Sequence, residues 1–415
     1  MNRKMKVFLF LVFLFTINLV TAKSGDNWKN WLGPTYNGKN DIDLKIPPDG
    51  SEYKTNWQVP VGLGWSSPIV SSGAVFIHDR VGDKENIRCL DAENGEQQWN
   101  FSYLSKYRDD FGMEGGPRST PAVHAGILIS HSPQGLVHAL DASTGRLIWK
   151  IDLVEKFSSP KGFFGRCSSP LIVGGKVFLE VGGENTGVIA LNLQTGSLIW
   201  KTPNYKTDYA SLVPRFNASS VQIVGFSRDG LFVMDSEDGE ILFFDSFKSP
   251  IGASVHAASP LVFNEFIFLS ACYELGAGLW KFPAVLKENN GARIEWKRKG
   301  LLDCHYSTPV EKDGFLFGFH GRQERSPVLR CIEIATGEIK WTSPPTGAGN
   351  IILANDKIAV LLETGELRII KASTEAFETL FTQQILGSET RAHFAMVGNR
   401  LYARDKRRLI ALNLD

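Results

Sequence analysis

The stretch His138–Trp149, which reads HALDASTGRLIW, predicts a β-hairpin. Asp141 is placed to cap backbone N–H groups in the turn, and Gly145 is free to adopt the positive φ that such a turn requires. Trp149 falls in the returning strand, where its indole can pack against a neighbouring element. This hairpin is the unit from which the rest of the chain can be interpreted.

The same hairpin recurs along the chain. Further copies span Leu90–Trp99, Leu191–Trp200 and Ile332–Trp341, and in each copy a glycine precedes the tryptophan by four residues. Self-similarity with a period of roughly 40 to 50 residues is typical of a propeller or a solenoid. The period therefore restricts the fold class before any single residue is considered.

Each repeat predicts a four-stranded antiparallel meander. A small-polar-Pro step, as in Ser119-Thr120-Pro121, starts the first strand, where the missing proline N–H falls outside the ladder. A tight turn, a second strand, a loop, a third strand and the hairpin follow. The fourth-strand aromatics, predicted to dock each blade on its neighbour, are Trp57, Trp99, Trp149, Trp200, Phe243, Trp296, Trp341 and Phe381.

Ring closure follows from a mismatch between the two ends of the repeat region. The last group, 394–414, supplies only three strands, whereas an isolated strand around Trp57 precedes the first repeat. Pairing the isolated strand with the incomplete group removes the open sheet edges. We therefore predict an all-β fold, an eight-bladed propeller closed by an N-terminal strand, in preference to a linear solenoid.

The start of the chain resembles an export signal. Residues 1–22 combine a basic start with the apolar run 7–20, which is too short for a membrane span, and Ala22 is the predicted cleavage point. We expect residues 23–52 to form an N-terminal arm and 53–415 the propeller. The predicted location is periplasmic or secreted, with no stable membrane span after cleavage; an uncleaved anchor is the alternative.

Charge and cysteine content exclude some functions. The formal charge is +1, and removing the three basic residues of the signal leaves −2, so a basic nucleic-acid-binding face is not expected. The five cysteines are odd in number and widely spread, which argues against a dense disulfide framework and leaves their pairing open. Cys89 and Cys331 occupy matching places in two repeats and are predicted to be buried thiols.

The repeats resemble the pyrroloquinoline-quinone-like (PQQ-like) β-propeller repeats, whose pattern is Ala-x-Asp-x-x-Thr-Gly-x-x-x-Trp. Ala139–Trp149 matches every fixed position, and Trp31-Leu32-Gly33-Pro34 is similar to the opening of secreted bacterial members. The resemblance spans almost the whole chain after the signal. It implies a relationship to the outer membrane assembly factor BamB and to quinoprotein alcohol dehydrogenases, which share this fold but not one activity.

An assembly factor and a quinone-dependent alcohol dehydrogenase require different residues. The quinone-dependent enzymes that the chain resembles hold PQQ with Ca²⁺ and carry adjacent cysteines over the cofactor, but no two cysteines are adjacent here. No Cys-x-x-Cys-His motif for covalent haem is present, and no lipid-bearing cysteine follows the signal. We expect a non-catalytic binding or scaffold module without a cofactor; a PQQ- and calcium-dependent oxidoreductase is the alternative.

The loops from fourth to first strand and from second to third strand are expected to share one face, where propellers usually bind ligands. Six histidines are assigned to these loops: His78, His131, His256, His305, His320 and His393. Candidate ligand-binding residues at the channel mouth are Trp65, Arg118, Arg166, His256, His305, Tyr306, Arg391 and His393. No catalytic residue or metal ligand is assigned, and Glu180, Glu184 and Glu274 have no spacing that enforces proximity.

Two long insertions, 101–116 and 151–165, fall on the same face, where loop additions commonly create specificity. Their phenylalanines, Phe111, Phe157, Phe163 and Phe164, predict either an exposed patch for a partner or a plug folded into the channel. The expected partner is an envelope protein or a small molecule, and the protein is expected to be a monomer.

Overall fold

Eight β-sheets contain almost all of the regular structure, and each is a blade of four antiparallel strands. The structure is a computed structural model that describes residues 27–48, 50–203, 205–217, 220–286 and 291–415. The predicted signal peptide and its cleavage point lie outside these ranges. The first strands of successive blades contact one another, so they form the inner wall of the ring. The prediction of an eight-bladed propeller is confirmed.

The first four blades follow one another along the chain, each with its strands in sequence order. Blade 1 consists of Ile69–Ser71, Ala74–Val81, Lys84–Asp91 and Gln97–Leu104. Blade 2 consists of Ala122–His124, Ile127–His131, Leu136–Asp141 and Leu147–Asp152. Blade 3 consists of Leu171–Val173, Lys176–Gly183, Thr186–Asn192 and Leu198–Lys201. Blade 4 consists of Val213–Phe216, Val221–Ser227, Gly230–Asp235 and Ile241–Ser246.

The remaining blades continue the pattern, and the last one uses a strand from the start of the fold. Blade 5 consists of Leu261–Phe263, Phe266–Ala271, Gly276–Lys281 and Arg293–Arg298. Blade 6 consists of Val310–Lys312, Phe315–His320, Val328–Glu333 and Ile339–Thr342. Blade 7 consists of Gly349–Ala354, Lys357–Leu362, Glu366–Lys371 and Thr379–Gln384. Blade 8 consists of Ala395–Val397, Arg400–Arg404, Arg408–Asn413 and Thr55–Pro60.

The ring closes through blade 8. Thr55–Pro60 pairs antiparallel with Arg408–Asn413, and Trp57 lies opposite Ala411. The two ends of the propeller therefore share one sheet, as the isolated strand and the incomplete last repeat predicted. This pairing leaves no unpaired strand at the junction of the ring.

The N-terminal arm is ordered where the structure describes it and packs on the propeller. Lys39–Asn40 adds a parallel fifth strand to blade 7, a feature that the sequence pattern did not predict. Trp28, only 1% exposed, exchanges two main-chain hydrogen bonds of 2.8 and 3.0 Å with Val70 of blade 1. The Lys39 ammonium also forms an ion pair with Glu311 of blade 6 at 2.5 Å. The arm thus contacts three different blades.

The fourth-strand tryptophans make one repeated contact around the perimeter. In six blades the indole N–H donates a hydrogen bond of 2.7–3.2 Å to a main-chain oxygen of the next blade, the donors being Trp57, Trp99, Trp149, Trp200, Trp296 and Trp341. The two phenylalanines use ring contacts instead: Phe243 lies edge-on to Phe282 and Phe381 edge-on to Tyr53. These contacts span adjacent blades in every case.

One insertion contains a short helix that the sequence did not predict. Leu153–Phe157 is α-helical, and the Asp152 carboxylate caps it by accepting hydrogen bonds from the Val154 and Glu155 amides. The helix buries Phe157 to 8% exposure in the core between blades 2 and 3, so Phe157 belongs to neither the exposed patch nor the channel plug that were the two predicted alternatives. The only other helix in the described ranges is the 3₁₀ turn Gln323–Arg325. None of the described helices has the length and apolar character needed to cross a membrane.

All five cysteines are free thiols, and four of them are buried. Cys89 and Cys331 each lie opposite the fourth-strand tryptophan of their own blade, beside Trp99 and Trp341. Burial is the main cause that raises the pKa of each of these two thiols to about 12. Both therefore remain protonated at neutral pH and pack as small apolar side chains.

Candidate functional site

A cavity of 620 Å³ opens on the predicted face of the ring. Its walls come from the loops that join a fourth strand to the next first strand and from two loops that join second to third strands. Aromatic and basic side chains predominate among the lining residues, which include Trp31, Trp65, Phe111, Met113, Arg118, Phe163, Phe164, Tyr209, Tyr273, Arg322 and Arg391. Loops from distant parts of the sequence therefore converge here.

The structure brings six of the eight predicted ligand-binding residues to this cavity: Trp65, Arg118, His305, Tyr306, Arg391 and His393. Arg166 lies instead in the wall of a neighbouring cavity of 410 Å³. Its guanidinium is held by Ser159 and by the Pro133 carbonyl oxygen, which leaves it a role in fixing the loop. Whether the six residues bind a ligand stays a prediction.

His256 lines neither cavity, in contrast to its predicted place at the channel mouth. Its ring stacks on Phe226 with centroids 4.3 Å apart, and its Nδ1 lies 2.9 Å from the Ser227 carbonyl oxygen. Burial lowers its pKa to about 4, so the imidazole is neutral at physiological pH. The buried side chain packs against Phe226, which belongs to the second strand of blade 4.

Three histidines assigned to loops belong to strands instead. His78 lies within the second strand of blade 1, and His131 and His320 end the second strands of blades 2 and 6. The His78 ring contacts a buried glutamate, Glu85, at 3.2 Å. Burial alone would raise the pKa of Glu85, but the hydrogen bond and charge of His78, with hydrogen bonds from Ser105 and Tyr103, lower it to about 2.

Two arginines lie over the ring of one tryptophan in the cavity wall. The guanidinium carbons of Arg118 and Arg391 lie 4.6 and 4.7 Å from the Trp65 ring. Arg391 also pairs with Glu363 at 3.1 Å, and the Tyr306 hydroxyl donates to the same carboxylate at 2.8 Å. Arg391 keeps 24% of its side chain exposed and can meet an anionic group, whereas Arg118 is 7% exposed and its terminal nitrogens are occupied by Tyr107, Asp109 and main-chain oxygens.

The rim of the cavity is apolar and exposed. Phe111, Met113 and Phe163 are 57%, 41% and 39% exposed, and together with Phe164 they form what we term the rim patch. The ring centroids of Phe111 and Phe164 are 5.3 Å apart, and those of Phe111 and Phe163 are 6.0 Å apart. Of the two predicted arrangements, the structure shows the exposed patch at the mouth for these residues.

The rim patch is held by polar anchors beneath it. The Asp109 carboxylate accepts hydrogen bonds of 2.9 and 3.0 Å from the Phe111 and Met113 amides. The Tyr209 hydroxyl accepts from the Phe163 amide at 2.7 Å. Arg118 then joins the two loops, because it pairs with Asp109 at 3.0 Å and also donates to the Phe164 carbonyl oxygen. The exposed rings are therefore preorganised.

The opposite wall contains residues that the sequence analysis did not single out. Tyr273 lies in a loop between second and third strands, its hydroxyl is 2.9 Å from His305 Nε2, and Arg322 covers its ring at 4.7 Å. Burial lowers the pKa of His305 to about 4. Trp31 of the arm donates a hydrogen bond of 2.9 Å to the Ser259 hydroxyl. The only signal in the sequence that could have identified Tyr273 and Arg322 as cavity residues is their position in loops between second and third strands.

The lining of this cavity differs from that of a calcium-dependent quinone site. The only cysteine among the described lining residues is Cys167, where the resemblance implied an adjacent pair. The only acid among them, Glu324, forms an ion pair with Arg322 at 3.2 Å. No group of three or more His, Cys, Asp or Glu side chains in the described ranges is arranged to hold a metal ion. We therefore derive no chemistry through PQQ.

Comparison with known proteins gives the family. The family model described as outer membrane protein assembly factor BamB matches residues 83–299, which is half of the chain. The outer membrane protein assembly factor BamB of Moranella endobia (strain PCIT) is 30% identical over 310 residues, covering 72% of each chain. The chain belongs to the BamB family.

Two further comparisons, one with a BamB and one with a solved structure, define the extent of the likeness. The BamB of Yersinia pestis is 26% identical, and the match covers 60% of this chain but only 58% of that relative. In structure, the quinohemoprotein alcohol dehydrogenase from Comamonas testosteroni superposes with a TM-score of 0.65 at 12% identity, over 95% of this chain and 81% of that one. The second likeness concerns the fold alone.

Proposed function

We propose that this chain is an exported, non-catalytic scaffold of the cell envelope that binds a segment of another envelope protein at the mouth of the 620 Å³ cavity. Membership of a family named for outer membrane protein assembly supports a scaffold over an enzyme. The observation that carries the proposal is the preorganised rim patch. Exposed aromatic and methionine side chains held by buried anchors are the features of a binding hot spot.

The chemistry of the mouth restricts the segment that would bind. The apolar rim favours an aromatic or long aliphatic side chain, and Arg391 behind it, with 24% of its side chain exposed, favours a carboxylate or a main-chain carbonyl oxygen. Arg391 is already oriented by Trp65 and Glu363, so little ordering is required when a segment enters. We expect an extended segment that places one apolar and one acidic group side by side.

Site-specific photo-crosslinking in the native envelope tests this proposal. A photoreactive phenylalanine analogue in place of Phe111 is expected to crosslink to an outer membrane protein or a component of its assembly. The matched control places the analogue at Leu198, which is 39% exposed on the fourth strand of blade 3, away from the mouth. Equal crosslinking from both positions would contradict a binding role for the rim patch.

The alternative function, a PQQ- and calcium-dependent oxidoreductase, is tested on the purified protein. Titration with PQQ at a constant Ca²⁺ concentration is expected to leave the absorbance spectrum and the melting temperature unchanged from those with Ca²⁺ alone. Tight quinone binding accompanied by dye-linked alcohol oxidation would replace the scaffold proposal with the enzymatic one.

A further inference from the structure

The smaller cavity, of 410 Å³, contains two acidic side chains that the proposed function does not use. Glu180 comes from the second strand of blade 3, and Asp208 comes from the loop between blades 3 and 4. Both line the cavity. Glu180 belongs to a strand and Asp208 belongs to a connecting loop. A group bound to both carboxylates would therefore link these two elements.

Neither carboxylate is fully satisfied by the protein. Glu180 is 4% exposed, and both of its side-chain oxygens are buried without a hydrogen-bond partner. The Asp208 side chain is fully buried, and its Oδ1 likewise has no partner. Buried carboxylates in folded proteins are normally paired, hydrogen-bonded or bound to a metal ion, because an isolated buried charge is strongly destabilising.

Four basic residues line the same cavity, Lys161, Arg166, Lys206 and Arg228, and three of them are held by other groups. Lys161 forms an ion pair with Asp110 at 2.6 Å. Arg228 approaches Asp208 Oδ2 at 3.3 Å, but its other terminal nitrogen donates to the Gly252 and Ser254 carbonyl oxygens at 2.7 Å. Arg166 is occupied by Ser159 and Pro133, as described above. Three carboxylate oxygens, two from Glu180 and one from Asp208, are thus left without a donor on this wall.

The two carboxylates line the same cavity, and the charge of one acts on the other. Burial, and then the charge of Asp208, raise the pKa of Glu180 well above its ordinary value. Burial raises the pKa of Asp208 to about 7, although Arg228 opposes the shift. Each negative charge is therefore unfavourable at this buried position, and a bound positive charge would relieve both at once.

We propose that Glu180 and Asp208 bind a divalent cation, with Ca²⁺ as the expected ion. Carboxylate oxygens are the ligands that Ca²⁺ prefers, and two carboxylates neutralise its charge. The unpartnered oxygens are enclosed by protein, which suits a compact ion better than a long basic side chain. With two acidic ligands, water and main-chain oxygens complete the coordination, so we expect affinity in the range of about 10⁻⁴ to 10⁻³ M that is typical of extracellular modules.

This proposal does not rest on the scaffold function, and it is tested on the purified full-length protein. Tb³⁺, which replaces Ca²⁺ and luminesces when excited through a nearby tyrosine, serves as the probe, and Ca²⁺ serves as the competitor. We expect saturable Tb³⁺ luminescence that Ca²⁺ displaces. Glu180→Gln and Asp208→Asn, which keep the side-chain volume, are each expected to weaken Tb³⁺ binding at least about tenfold.

The control variant is Glu155→Gln, which removes an exposed carboxylate from the short helix Leu153–Phe157. It is expected to bind Tb³⁺ within about twofold of the unmodified protein, and Ca²⁺ is expected to raise the melting temperature of both. Equal Tb³⁺ affinity in Glu180→Gln and the unmodified protein, or no Ca²⁺-displaceable signal at all, would overturn the proposal. Melting curves of the two site variants verify that each is folded.

Discussion

The perimeter and the loop face of this propeller are built on opposite principles. On the perimeter, Trp99 and Trp149 donate the same hydrogen bond to the same place in the following blade, at 3.0 and 2.9 Å. On the loop face, Phe111, Tyr209 and Arg391 each come from a different loop and have no counterpart in other blades. Repeated residues therefore maintain the ring, whereas residues that occur once shape the cavity.

The glycines of the hairpin turns show why the perimeter is repeated. A Cβ added at Gly95, Gly145, Gly196 or Gly239 would lie 2.6–2.8 Å from the indole of the preceding blade. The glycine and the tryptophan therefore form one interlocked contact, in which neither residue can change alone. The comparison predicts that substitutions on the perimeter reduce stability without affecting binding. Substitutions in the rim patch of the loop face are expected to weaken binding and to leave stability nearly unchanged.

The largest expected effect is that of Trp149→Ala. Removing this buried indole leaves a cavity between blades 2 and 3 and eliminates its hydrogen bond to the Leu193 carbonyl oxygen. We expect the free energy of unfolding to fall by about 3–5 kcal/mol in urea denaturation. Crosslinking through position 111 should persist in the folded variant. An unchanged melting temperature would count against the docking role of the perimeter tryptophans.

Gly196→Ala tests the other half of the same contact. Gly196 has a φ of +69°, and the new Cβ would lie 2.6 Å from the Trp149 ring, so strain and a clash combine. We expect a loss of about 2–3 kcal/mol in the free energy of unfolding. Gly174→Ala is the matched control, since Gly174 has a φ of +60° with no atom near its added Cβ. Its loss should be only about 1 kcal/mol.

A difference in pH dependence is expected on the loop face. His393 packs against Trp28 and Trp31, and burial lowers its pKa to about 4. The unfolded chain, with a histidine pKa near 6.5, binds this proton first, so stability falls as pH drops from about 6.5 to 4. Between pH 7 and 4.5, His393→Phe should lose about 2 kcal/mol less free energy of unfolding than the unmodified protein. Parallel urea-denaturation profiles of the two proteins would disprove this assignment.

Phe163→Ser is expected to have the smallest effect on stability. Phe163 is 39% exposed, so the free energy of unfolding should change by no more than about 0.5 kcal/mol. Crosslinking from position 111 to the envelope partner should fall at least about fivefold, because the rim patch loses one of its rings. A stability loss as large as that of Trp149→Ala would show that this patch belongs to the core.

Much of the architecture was predictable from the sequence. The repeated turn and the fourth-strand aromatic residue, tryptophan in five blades and phenylalanine in two, defined seven blades, and the isolated strand at Trp57 correctly predicted how the eighth is completed. The fifth strand of blade 7, Lys39–Asn40, was not predictable, because two residues without a repeated motif give no periodic signal. The helix at Leu153–Phe157 was missed for the same reason.

The candidate site was predictable only in part. Loop position alone indicated that Trp65, Arg118 and Arg391 would lie together, and they line one cavity because topology places those loops on one face. Loop position did not indicate that His256 faces inward to stack on Phe226, or that Phe157 is buried under its own helix. Side-chain direction in irregular segments depends on neighbours from other blades, which the local sequence does not specify.

The sequence by itself determined the number and type of repeats, since the turn chemistry and strand pattern are local and recur with a fixed spacing. Only the tertiary structure decided which residues meet across the ring, because closing eight blades sets distances between loops that are far apart in the chain. It also decided which charges are satisfied. Glu85 is surrounded by donors, whereas Glu180 is left without one, and no local pattern distinguishes the two glutamates.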